Sequence, residues 1–267
     1  MKFIRISVLL VLFVLLNYWG VLSFKYAKSY EENTVAIAKE CDIHGLAQEK
    51  WENIASTISF GLYKNKTKEK LDKLRKKQAL NKKLSREYLY YFLATLTLIL
   101  IIALFCIPAL NILIFAFSAL ISLIFGLINP ILMVTIHKKI DYLGDIILSF
   151  ESKGILGSIY KLFDSGEYVV GGAILLFSVL IPLLKILVLI FAVLFEKFEF
   201  PHKLVDFFKH LGKWSMLDVF VVAIFLVYLT SNSADVTHAE IQIGLYYFLI
   251  YVILSMITTI KLLNRKS

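Results

Sequence analysis

The chain has 267 residues, of which 59% are hydrophobic and 18% charged, and its mean hydropathy of +0.76 excludes an ordinary water-soluble domain, in which about a quarter of residues are charged. Its net charge of +9 is accounted for, in so apolar a chain, by membrane topology and lipid headgroups, so nucleic acid is not expected as a partner. Two cysteines, Cys41 and Cys106, exclude a disulfide framework and a zinc site, and neither a metal nor a cofactor is expected.

Six stretches are apolar enough for a helix to cross the bilayer, which takes roughly 20 residues: 6–24, 88–107, 112–136, 168–195, 216–233 and 243–262. The expected fold is therefore an all-α polytopic membrane protein with about six transmembrane helices. The second and third stretches are separated only by the segment from Pro108 to Asn111, which reads either as a tight turn or as a kink in one broken element, leaving five spans.

The chain divides into four parts. Residues 1–24 follow Met1, Lys2 and Arg5 with a long apolar run that lacks a small-residue cleavage site, and so read as an uncleaved signal anchor. Residues 25–87 are the one sizeable extramembrane segment. Its latter half, 64–86, holds eleven Lys and Arg against Glu69 and Asp72 and is rich in good helix formers. It reads as a solvated helix leading into the next span, or as a patch for anionic lipid or an acidic partner. Residues 88–111 form an additional span and turn, and 112–267 a four-helix membrane domain.

Topology carries an internal conflict. With both termini cytoplasmic, the segment 196–213 and the tail with Lys261, Arg265 and Lys266 lie inside, as the positive-inside rule asks, while the lysine-rich 25–87 segment is exported. Loops of about 60 residues or more obey that rule weakly, and a cytoplasmic N- and C-terminus is expected.

Within 168–195 the only ionisable side chain beyond Tyr168 is Lys185, and Ser178 and Pro182 precede it at helical spacing. A charged lysine deep in a span costs at least about 2.5–3.5 kcal/mol, which calls for a partner or a hydrated cavity. Pro182 lacks an N–H and so frees the carbonyl of Ser178. Lys185 lies eleven residues before Glu196, about 15 Å along a helix, beyond comfortable snorkelling reach. A snorkelling lysine, a structural ion pair and a functional polar site remain the alternatives.

The next span opens with Lys213-Trp214-Ser215-Met216-Leu217-Asp218. Asp218 is a candidate partner for Lys185, but side chains lean toward their own helix N-terminus, so in antiparallel neighbours the two lean apart. A water-bridged or Ser215-mediated link is expected over direct contact. An acidic residue at a helix start also complements the macrodipole, and Trp214 suits the membrane interface. Asn17, Asn111 and Asn129-Pro130 read as packing or kink sites, and Ser255, Thr258 and Thr259 bond their own helix or face a shared polar path. His137, His202, His210 and His238 show no ligand spacing, and no nucleophile-and-base set or phosphate loop is present, so no catalytic residues are assigned and no enzyme is expected.

Several strings together carry a resemblance: Gly154-Ile155-Leu156-Gly157-Ser158-Ile159, then Leu162-Phe163 and Gly166, then Phe177-Ser178-Val179-Leu180-Ile181-Pro182-Leu183-Leu184-Lys185, and Trp214-Ser215-Met216-Leu217-Asp218-Val219-Phe220. Over about 115–263 the chain resembles the paraquat-inducible protein A family. The resemblance implies a four-span domain in a bacterial inner membrane that works with periplasm-spanning MCE-domain proteins to move phospholipid or another lipid between membranes. It also implies that Ser178 and Lys185 belong to an intramembrane polar site coupled to an ion or proton, with Asp218 in the motif. Many members carry paired C-x-x-C zinc ribbons and two copies of the domain. This chain has one copy behind an anchor and a basic segment, so a two-lobed pathway requires a homodimer or another partner. The competing expectation is a membrane-anchored scaffold that recruits a partner through 25–87.

Overall fold

The computed structural model describes residues 2–40, 66–140, 144–194 and 237–264. Five helices in it are long and apolar enough to cross a membrane, and the protein is a multi-pass helical membrane protein. The sixth expected span, 216–233, and the motif residues Trp214, Ser215 and Asp218 lie outside the described residues.

Helix α1 runs unbroken over Lys2–Glu40 and α2 over Lys66–Leu104. Each has 39 residues, about 58 Å, against a hydrocarbon core of about 30 Å. They pair antiparallel along their length. The Ser23 hydroxyl donates to the Ser85 carbonyl at 3.0 Å, Gln78 Nε2 donates to Thr34 Oγ1 at 2.8 Å, and Ile37 packs on Leu71 and Leu74 beyond them. The signal-anchor stretch 6–24 is thus the first half of a longer helix, and the basic stretch is continuous with the second span. Charge does not end either helix, because strong helix formers and a packed partner carry it out of the apolar zone.

The break between α2 and α3 (Pro108–Ile128) is a tight turn. The N–H groups of Phe105 and Cys106 donate to Ile102 and Ala103, and Pro108 occupies the first turn of α3, where a missing N–H has no intrahelical acceptor to lose. The second and third stretches are therefore separate spans.

The other end of α3 departs from the expected 112–136 span. The helix stops at Ile128. Asn129 is fully buried, donates its Nδ2 back to the Phe125 carbonyl at 2.7 Å, and adopts extended backbone, as a residue before proline prefers. The chain then becomes strand β1 (Leu132–Ile140), followed by β2 (Gly144–Lys153). With β3 (Thr237–Ile241) they form an antiparallel sheet in the order β2-β1-β3, Leu132 facing both Lys153 and Ile241. This small sheet is an addition that helical hydropathy did not announce.

After β2 come a short amphipathic helix α4 (Ile155–Asp164) and a turn at Gly166, whose φ of 81° is one that glycine adopts without strain. The span Tyr168–Leu194 follows, and α7 (Ile243–Asn264) leads from β3 back through the membrane. Helices α3 and α7 pack closely. A Cβ on Gly126 would meet the Phe248 nitrogen at 2.9 Å, and one on Gly244 would meet the Pro130 carbonyl oxygen at 2.6 Å. The α1–α2 hairpin docks on this pair through Phe92, which meets Tyr247 edge-on at 4.8 Å and Phe125 at 6.0 Å, and through Gly20, whose hydrogen faces the Phe125 ring.

Candidate functional site

The span carrying Lys185 is not a uniform α-helix. It is α5 (Tyr168–Ile174), a π turn over Leu175–Leu180, and α6 (Ile181–Leu194). The Ile181 N–H donates to the Leu176 carbonyl, five residues back, directly before Pro182. The missing N–H of Pro182 and the clash of its ring with the preceding turn explain the wider turn at this point. Ser178 lies inside the π turn and is half-buried, whereas Pro182 and Lys185 are buried on α6. The structure therefore joins Pro182 and Lys185 on one buried face and leaves Ser178 at its border.

Lys185 is only 7% exposed. Its neighbours along α6, Ile186, Leu189 and Ile190, are buried and apolar. Among the described residues it has neither an ion-pair nor a hydrogen-bonding partner. The side chain is thus largely enclosed by protein.

What stands at its depth follows from the helix registers. Helices α3 and α7 are antiparallel: Lys261 reaches Asn111 at one end, and Phe248 touches Gly126 at the other. Seven residues from Asn111 along α3 lead to Ser118, and six residues back from Lys261 lead to Ser255. Helix α6 joins the same level, because Ile112 of α3 clusters with Leu189, Ala192 and Val193. Ser118 is about 9 Å further along α3, and Lys185 about 6 Å back along α6 from Leu189. Ser118 and Ser255 are 0% and 1% exposed, and neither hydroxyl has a hydrogen-bonding partner among the described residues. Three helices therefore contribute a buried polar group to one layer.

Ser118 escaped the sequence reading. Its signal was the spacing Ser118, Ser122, Gly126, a small residue every fourth position, which marks a face for close helix contact in lipid. Ser122 is likewise fully buried but bonds the Ser118 carbonyl at 2.9 Å. Thr258 and Thr259 bond their own helix at Leu254 and Ser255.

A second polar assembly closes the end of the bundle away from the sheet. Lys261 Nζ donates to Asn111 Oδ1 at 2.7 Å and lies 3.9 Å from the centroid of the Phe115 ring, while Asn111 Nδ2 donates to the Ala103 carbonyl at 2.8 Å. Asn111 thus ties together the end of α2, the start of α3 and the end of α7.

Comparison with known proteins bears on the same region. A curated protein of Haemophilus influenzae, described as a probable intermembrane transport protein, is 24% identical over 111 residues, covering 39% of this chain and 26% of that protein. The matched stretch is thus about a quarter of the relative's length. No solved structure matches the chain. The family described as paraquat-inducible protein A matches residues 110–267, which hold α3, the sheet and every later element including the Lys185 span, and on that match over more than half its length the chain belongs to the paraquat-inducible protein A family.

Proposed function

We propose that this chain is the inner-membrane component of an intermembrane lipid transport system. It would move a phospholipid or other lipid to or from a periplasmic MCE-domain partner, without covalent chemistry on the lipid. The observation that carries the reading is the enclosure of Lys185, 7% exposed in the middle of an apolar span, at a level where Ser118 and Ser255 also hold hydroxyls without partners among the described residues. An intramembrane cation is rare and costly, and its usual use is in a transport or proton pathway. Membership of the family and the printed role of the Haemophilus relative support transport between membranes as the setting.

In this reading Lys185 alternates between protonated and neutral forms as Pro182 and the π turn let α5 and α6 shift, and the serines offer hydrogen bonds to the ammonium or to water beside it. Ser178, Ser215 and Asp218 complete the polar site, with Trp214 at the membrane interface. Both termini face the cytoplasm, the sheet faces the periplasm, and a homodimer supplies the second lobe of the pathway. The test is lipid transfer between labelled donor and acceptor membranes with wild-type chain and Lys185→Ala. Lost transfer at unchanged abundance supports the reading, and wild-type transfer by the variant removes Lys185 from the mechanism.

A further inference from the structure

We infer that the outer flank of the α1–α2 hairpin is a docking surface for an elongated acidic protein segment that lies alongside it. The observations belong to a part of the chain outside the family match and are independent of Lys185.

The hairpin leaves the membrane as a stalk. Trp19 stacks on Tyr88 at 5.7 Å, Tyr88 stacks on Tyr26 at 5.3 Å, and Tyr91 joins Trp19 at 5.2 Å. Such a cluster of Tyr and Trp marks the membrane–water interface. From Tyr88 back along α2, Lys83 stands about 8 Å, Lys77 about 16 Å and Lys73 about 22 Å away along the axis. The helix there is packed against α1 by Gln78–Thr34 and by Leu71 on Ile37, so it does not fold down onto the bilayer.

The face turned away from α1 is a basic stripe. Leu71 and Ser85, at 3% and 4% exposure, mark the packed side. Lys73, Lys76, Lys77, Leu80 and Lys83 recur at three- and four-residue intervals on the opposite side, all of them exposed. Lys73 pairs with Glu69 at 2.7 Å, while Arg75, Lys76 and Lys77 have no ion-pair partner among the described residues. Residues 66–87 hold ten basic side chains against three acidic ones, an excess that accounts for most of the net charge of the chain.

Geometry selects the occupant. Charges more than a Debye length of about 8 Å from a surface in physiological salt are largely screened from it, so the headgroups of the chain's own membrane do not neutralise Lys73, Lys76 and Lys77. An opposing bilayer would lie across the stalk and meet its tip, whereas the stripe runs along the stalk and is matched by a chain laid parallel to it. Leu80, 55% exposed in the middle of the lysines, gives that chain an apolar contact.

The test uses the full chain in zwitterionic nanodiscs. The probe is a synthetic helical peptide of about 20 residues with glutamates and one leucine on a single face, spaced to oppose the stripe. Charge reversal at Lys76→Glu/Lys77→Glu is expected to weaken its binding at least about tenfold, and reversal at Lys25→Glu/Lys28→Glu, exposed on α1, less than about twofold. Unchanged melting of both variants shows that folding is not the cause. Equal losses from the two reversals would reduce the effect to net charge and overturn the proposal. So would tighter binding of the stripe to phosphatidylglycerol vesicles, or to a single-stranded oligonucleotide, than to the peptide.

Discussion

Lys82 Nζ lies 2.6 Å from Oε1 of Glu240, a residue 158 positions further along the chain, and so joins α2 to β3. Arg86 reaches the same oxygen at 3.2 Å, and the buried Tyr30 hydroxyl donates to the other carboxylate oxygen at 3.1 Å. One carboxylate thus clasps both helices of the hairpin to the sheet of the family domain.

Loss of that clasp is expected to have a modest, local effect. Glu240 and Lys82 are each about one-third exposed, and exposed pairs contribute about 0–1 kcal/mol. Glu240→Ala should therefore lower stability by about 1 kcal/mol, with the Tyr30 hydrogen bond included. Thermal melting in detergent gives the total, and faster amide exchange confined to β3 and the adjoining turns of α1 and α2 locates it. A loss above several kcal/mol would mean that the hairpin depends on Glu240 far more than its exposure implies.

Replacement of Lys185 separates cost from use. Met keeps the volume and removes the charge, so Lys185→Met should fold at least as well as wild type, because an enclosed cation is exchanged for an apolar chain. Transfer of lipid between membranes is expected to fall to background in the same variant. Retained transfer together with a raised melting temperature would assign Lys185 no role in movement.

The glycines make a graded packing test. Gly126→Ala and Gly244→Ala put a methyl 2.9 Å and 2.6 Å from backbone atoms, which cannot yield as a side-chain end can, and each should cost about 1–3 kcal/mol. Gly157→Ala and Gly172→Ala meet nothing within 4 Å and should be neutral or slightly stabilising in their helices. Melting temperatures of the four variants decide it, and equal effects would contradict the close α3–α7 packing.

The Asn111 junction should show coupling. Lys261→Met removes both the hydrogen bond to Asn111 and the contact over Phe115, and Asn111→Ala also removes the bond to Ala103. Each single change should cost about 1–2 kcal/mol, and the double variant about 1 kcal/mol less than their sum. Additive losses in a double-mutant cycle would show that the 2.7 Å contact contributes nothing.

Sidedness is open to a direct check. A cysteine at Lys70, in a variant lacking Cys41 and Cys106, should react with an impermeant maleimide added to the periplasmic side of intact spheroplasts. Labelling only after the membrane is opened would reverse the proposed topology and place the stalk in the cytoplasm.

Five of the six expected spans, the family motif and the conspicuous cation were legible in the amino-acid sequence, because hydropathy is a local sum and a lysine among some two dozen apolar residues is visible without any partner. The tight turn at Pro108 and the end of α3 at Asn129-Pro130 were readable as breaks, but not as one turn and one change to strand. That second outcome depends on β3, whose Ile241 pairs with Leu132 from over 100 residues away, and no local window contains such a pairing. Ser215 and Asp218 are known from the motif alone, since they fall outside the described residues. Only the tertiary structure decided that Lys185 is enclosed, that Ser118 and Ser255 share its depth, and that Glu240 holds the hairpin to the sheet. Depth and partnership are set by the registers of helices against one another, and those registers are chosen by where small residues such as Gly126 and Gly244 let backbones meet.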